Sequence, residues 1–122
     1  MVEWKPITEE ALVARIAQGY ARMTPTQQGL WRAVRIDPEK WQQSPFGDAG
    51  GGFWTVGLLG RSVIWYNDID DGFNRSRYTT YGRIDDYWRN DDELEITVQY
   101  VANALSLGYD LLNLGSQQKK RR

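Results

Sequence analysis

The chain has no histidine and no cysteine among its 122 residues. The first absence removes the side chain that most often serves as a general base near neutral pH. The second removes thiol nucleophiles and disulfides. Together they exclude Ser-His-Asp and Cys-His nucleophilic sites and the usual zinc and haem sites. A strong charge of one sign is also missing: 15 Lys and Arg stand against 16 Asp and Glu, a net charge of −1. No apolar run approaches the ~18 residues needed to cross a bilayer. No N-terminal stretch joins a basic start to an apolar segment, so a cytoplasmic protein without membrane attachment is expected. The length fits one domain, placed over residues 1–115, followed by a basic, disordered tail at 116–122.

Aromatic side chains are plentiful: 6 Trp, 7 Tyr and 3 Phe. The charges are unevenly spread. Between residues 67 and 95 stand nine acids and four arginines. The tail, Lys119-Lys120-Arg121-Arg122, supplies the compensating positive charge. A body of that sign repels phosphate backbones, so nucleic acid is not an expected partner.

The first segment reads as a helix. Thr8 is a good N-cap, Glu9 and Glu10 suit the positive end of the helix dipole, and Ile7 and Leu12 stand at staple positions. Leu12, Ile16, Tyr20 and Met23 form one apolar stripe. Thr24, Pro25 and Gln27 carry the marks of a capping box with proline at the first helical position. A second helix follows, turning Leu30, Trp31 and Val34 inward. Asp37-Pro38 then opens a third short turn that holds Trp41, so residues 8–42 are expected to be helical.

Periodicity changes after the loop Ser44–Gly52. Phe53–Leu59, Ser62–Asn67 and Phe73–Tyr81 read as strands of an antiparallel meander, with Gly60-Arg61 a two-residue type II′ turn. A fourth short strand is placed near Arg83–Trp88. The final helix spans 91–107, with Asn90 and Glu93 as its capping pair and Leu94, Val98, Val101, Ala102 and Leu105 as its buried stripe. Gly108 stops it, and Leu111, Leu112 and Leu114 tuck against the core. The expected fold is α+β: an N-terminal helical hairpin, a three- to four-stranded antiparallel meander over 52–88, and a C-terminal helix on one sheet face.

The most unusual segment is Trp65-Tyr66-Asn67-Asp68-Ile69-Asp70-Asp71-Gly72-Phe73-Asn74. It is not an EF-hand loop. With Gly72 at position 6, Ile69 falls where an oxygen ligand is needed and Tyr78 stands where a Glu belongs. The Gly50-Gly51-Gly52 triplet precedes a strand instead of opening a helix, so it is no phosphate loop. No metal and no cofactor are expected. In the third strand Phe73, Arg75, Arg77, Thr79 and Tyr81 share one face, and neither face is apolar enough for full burial. One face is therefore expected to meet solvent or a partner. Trp, Tyr and Arg are the residue types that dominate interface hot spots.

In type, the chain resembles the small cytoplasmic immunity proteins of bacterial toxin systems. Those are single domains with acidic, aromatic-rich faces that block a toxin, often a basic nuclease. The resemblance carries no residue assignment. The leading expectation is a non-enzymatic protein-binding module whose contact surface comprises Trp65, Tyr66, Asp68, Asp70, Asp71, Arg75 and Arg77. Acids would steer a basic partner, and aromatics would anchor it. A second expectation is a small-ligand or carbohydrate pocket lined by Trp65, Tyr66 and Asp68, extending to a carboxylate-dependent hydrolase. A third is a structural module that closes a homodimer through the exposed sheet face.

Overall fold

The computed structural model describes residues 4–107. Two helices, α1 (Glu9–Arg22) and α2 (Pro25–Val34), lead into four strands, β1 (Arg35–Trp41), β2 (Phe53–Leu59), β3 (Ser62–Asn67) and β4 (Gly72–Arg77), followed by α3 (Leu94–Leu107). The strands pair antiparallel in sequence order. The fold is α+β, with a helical hairpin at its start and a helix on the sheet at its end.

The helix starts follow local chemistry. The Thr8 hydroxyl accepts from the Ala11 N–H and caps α1. At α2, Thr24 accepts from the Gln27 N–H while the Gln27 side chain accepts from the Thr24 N–H, with Pro25 at the first position. Two orphan backbone donors are thereby satisfied. Gly60, with φ of 58°, makes the two-residue connection between Leu59 and Ser62.

The expected third helical turn is instead a strand. Residues 35–41 pair with β2 from Arg35 opposite Gly57 to Trp41 opposite Phe53, with a register irregularity between Arg35 and Glu39. Pro38 lies within that irregularity, on an edge strand where a missing N–H is tolerated. The expected strand near Arg83–Trp88 is absent as a strand. Its start makes one parallel bridge, Gln42 to Arg83, and the rest is irregular. The third strand is also shorter than expected, ending at Arg77.

Both faces of the sheet are covered, against the expectation of one open face. Leu12, Trp31, Val34, Val56, Ile64, Tyr66, Phe73, Leu94 and Val98 form the core between sheet and helices. The opposite face carries Trp41, Phe53, Val63, Trp65 and Ile84, roofed by Trp4, Tyr78, Tyr87 and Trp88. Ring contacts knit this layer, including Phe53 with Trp65 at 4.9 Å and Trp41 with Tyr78 edge-on at 5.0 Å. The aromatic wealth of the chain therefore closes a second hydrophobic layer that helices do not reach.

The polar strand β4 is buried because its side chains bond to the irregular segment after it. Trp65 donates to the Ser76 hydroxyl, which donates to the Asp86 carbonyl. The Arg77 guanidinium holds the Asp86 carboxylate at 3.1 and 3.2 Å. Paired in this way, the polar atoms cost little to bury.

The helix α3 begins at Leu94, three residues later than expected. Asn90 is engaged elsewhere, and the Glu93 carbonyl accepts from Ile96 and Thr97 at 3.1 and 3.3 Å. Leu94, Val98 and Val101 are buried as expected, but Leu105 is exposed. Gly108, Leu111, Leu112, Leu114 and the basic tail lie outside the described residues.

Candidate functional site

The turn between β3 and β4 is organised by Asn67, which is fully buried. Its carbonyl oxygen accepts from the backbone N–H of Ile69 at 3.0 Å and of Asp70 at 3.4 Å. Its amide donates to the Trp88 carbonyl at 2.8 Å. The turn closes through Asp71, a non-glycine residue at φ of 58°. Aspartate tolerates this left-handed conformation better than most residues.

Each acid of the turn has its own partner. The half-buried Asp68 carboxylate accepts from the Ile7 N–H at 2.7 Å. Burial raises its pKa, opposed by that hydrogen bond and by the Lys40 charge. The Trp4 indole N–H is buried beside this carboxyl without completing a hydrogen bond to it. Burial in turn lowers the pKa of Lys40, whose ammonium lies 5.0 Å over the Trp54 ring. Asp70 pairs with Arg89 at 3.2 Å. The Asp71 carboxylate accepts from the Tyr66 hydroxyl at 3.0 Å, and the Arg15 guanidinium donates to that hydroxyl. Burial and the Asp71 hydrogen bond push the Tyr66 phenol far above its ordinary range, against the opposing charge of Arg15.

A second acidic segment is laid beside this turn. The Asn74 amide imitates a strand neighbour, donating to the Asn90 carbonyl at 3.2 Å and accepting from the Asn90 N–H at 3.0 Å. Phe73 N–H then donates to the Asp92 carbonyl at 2.9 Å. Gly72 makes the approach feasible. A Cβ there would stand 2.1 Å from the Asp91 Cα and 2.3 Å from the Asn90 carbonyl oxygen. Residues 90–92 thus cover the outer edge of β4 and carry Asp91, Asp92 and Glu93 to the end of the sheet that already holds Asp68, Asp70 and Asp71.

Three arginines temper this end. Arg22 binds Glu93 and, at 2.7 Å, Glu95. Burial acts to raise the Glu95 pKa, but the Arg22 hydrogen bond and charge outweigh it and the carboxyl lies below its usual range. Arg15 is half-buried, and Arg89 is exposed. Seven carboxylates against three guanidinium groups and the Lys40 ammonium leave the end acidic. Its exposed groups are Asp71, Asp91, Glu93, Arg22 and Arg89, with Ile69 an apolar tip that is 41% exposed.

The expected contact residues separate. Asp68, Asp70 and Asp71 lie together. Trp65 and Tyr66 are each 0% exposed and sit on opposite faces of the sheet. Neighbouring residues of a strand alternate faces, so they line no common pocket with Asp68 and present no aromatic surface. Arg75 is 7% exposed, its guanidinium donating to the Ser62 hydroxyl. Arg77, opposite Ser62, is at the far end of β4 from the turn. Sequence reasoning missed Arg15 and Arg89, which no spacing marks. It also missed Asp91, Asp92 and Glu93 as surface groups, because an acidic run before a helix reads as dipole compensation.

Among the described residues, no group of three Asp or Glu side chains is arranged to hold a metal ion, and no helix is long and apolar enough to cross a membrane. No protein-family model matches the chain, and no curated protein sequence or solved structure matches it.

Proposed function

We propose that the chain is a non-enzymatic protein-binding module of the bacterial immunity type, acting in the cytoplasm, that holds a basic protein partner against the acidic end of its sheet. One observation carries the reading. Two acidic segments about twenty residues apart in sequence are pinned side by side by Asn74 and by the Phe73–Asp92 backbone bond. The exposed Asp71, Asp91 and Glu93 supply long-range attraction for a cationic surface, and Ile69 supplies an apolar contact. The turn is already held by Asn67, Asp68 and Tyr66, so little conformational entropy is lost on binding.

The test is co-purification with the product of the adjacent gene, followed by calorimetry. Complex formation that weakens with added salt and falls on Asp91→Lys combined with Ile69→Ala supports the reading. Absence of a complex, or one indifferent to both substitutions, removes it.

A further inference from the structure

A groove of about 680 Å³ lies between α1 on one side and the end of α2 with the start of β1 on the other. Val13, Ile16, Ala17 and Tyr20 recur at spacings that place them on one stripe of α1. Ile36 and Pro38 line the groove from β1, and the buried Trp31 lines it from α2. Val13 is 49% exposed, Ala17 is exposed, and Ile16 and Ile36 are only partly buried. Such a volume, mostly apolar and with a few convergent polar groups, suits a small molecule.

The convergent groups are at the end of α2. Arg32 and Arg35 both line the groove. They stand three residues apart across the last turn of α2, so their side chains leave the same face. The Arg32 guanidinium donates to the Tyr20 hydroxyl, which ties it to the α1 wall. Arg35 is exposed and makes no side-chain hydrogen bond or ion pair among the described residues. Two acids also line the groove. Glu9 lies about 16 Å along α1 from Tyr20. Asp37 follows Arg35 on β1.

We infer that this groove takes a small apolar carboxylate: an acyl chain of medium length with one free acid group. The carboxylate meets the Arg32 and Arg35 guanidinium groups beside the Tyr20 hydroxyl. Guanidinium offers a carboxylate paired N–H donors and a full opposite charge, which an alcohol or amine head cannot use. The acyl chain lies along α1 from Tyr20 toward Val13, a run of about 10 Å, against Ile16 and Ile36. Charge selects the class. The two cations are neighbours on one face of α2, whereas Glu9 and Asp37 come from different elements. Asp37 is the one acid close in sequence to the guanidinium pair, and it opposes binding. Glu9, Glu10 and Asp37 around the groove repel an anionic bilayer, so the occupant is a free acid and not a membrane. The site draws on α1, α2 and β1 and is independent of the acidic end of the sheet.

Nuclear magnetic resonance titration of the full chain with octanoate, octan-1-ol and octylammonium is the test. Octanoate shifts Val13, Ile16, Tyr20 and the Trp31 indole. It binds about tenfold more tightly than octan-1-ol, and octylammonium binds more weakly than either. Arg32→Gln with Arg35→Gln, both at exposed positions, lowers octanoate affinity about tenfold and leaves octan-1-ol unchanged. Asp37→Asn strengthens octanoate binding by removing a like charge. Ala17→Trp fills the groove from an exposed site and abolishes binding of every probe while circular dichroism stays unchanged. Octanoate that does not bind, or binds no better than octan-1-ol, overturns the inference. Octanoate binding that survives loss of both arginines, or that shifts only the basic residues 119–122, overturns it equally.

Discussion

The Ile7 backbone N–H donates to the Asp68 carboxylate at 2.7 Å, although 61 residues separate the two. This bond ties the segment entering α1 to the turn after β3. The Trp54 indole supports it by donating to the Ile7 carbonyl at 3.0 Å. Both backbone groups of one residue are thus held by side chains of the sheet. Replacing Asp68 by Ala leaves the Ile7 donor unsatisfied in a half-buried site and should cost about 1–3 kcal/mol in urea unfolding. An unchanged midpoint would show that the carboxylate bears no structural load.

The same carboxyl has a pH signature. Its folded pKa lies above its unfolded value because burial disfavours the charged form. Between the two values the folded state binds more protons than the unfolded state. Stability contributed by Asp68 is therefore greatest below the ordinary carboxylate range and declines as pH rises through the folded pKa. Glu39 and Glu95 are shifted downward and contribute in the opposite sense, but both remain in an Asp68→Asn variant and cancel in the comparison. Urea melts of wild type and Asp68→Asn from about pH 4 to about pH 7 should show the wild type losing ground to the variant as pH rises. A constant difference would rule out the raised pKa.

Tyr66 bridges Arg15 and Asp71 across the first turn of the sheet end. Its phenol should ionise well above the ordinary tyrosine range, because burial and the Asp71 hydrogen bond both oppose the charge. Spectrophotometric titration of Tyr66→Phe should lack that late phenol. The variant should also lose about 1–2 kcal/mol, since the Asp71 carboxylate and the Arg15 guanidinium lose their common partner. If the titration curve keeps its late component, the bridge is misassigned.

What the sequence made legible divides by the range of the interaction. The Thr8 cap, the Thr24–Gln27 box and the Gly60 turn are signals carried within a few residues, and all three elements start or turn where expected. Strand β1 was not legible. Arg35-Ile36-Asp37-Pro38-Glu39-Lys40-Trp41 has no period-2 apolar pattern, and its state comes from pairing with β2. The burial of β4 was hidden for a related reason. Asn74, Arg75, Ser76 and Arg77 look like a solvated face, but their partners are backbone groups or side chains of distant segments. The acid turn at 68–71 was visible as a cluster. Its union with residues 91–93 depends on Asn74 reaching Asn90, which no local spacing records.

That union also has a direct mutational test. Gly72→Ala places a methyl group against the backbone of residues 90 and 91. Strand and segment must then part, at a cost of about 1–3 kcal/mol or more. Asn74→Ala removes the paired amide and leaves both backbone groups of Asn90 without it, at a similar cost of about 2 kcal/mol. In both variants, hydrogen exchange should accelerate at Phe73, whose N–H donates to Asp92. Protection preserved at Phe73 would mean that neither residue holds the acidic segment in place.

Nuclear magnetic resonance mapping locates a partner's footprint residue by residue. The isotope-labelled chain is titrated with the product of the adjacent gene at low salt. Shift changes should concentrate together at residues 68–71 and 89–93, with Val13, Ile36 and Pro38 unaffected. Perturbations confined to the groove of Val13, Ile16 and Ile36, or none at the acidic end while binding occurs, would contradict it.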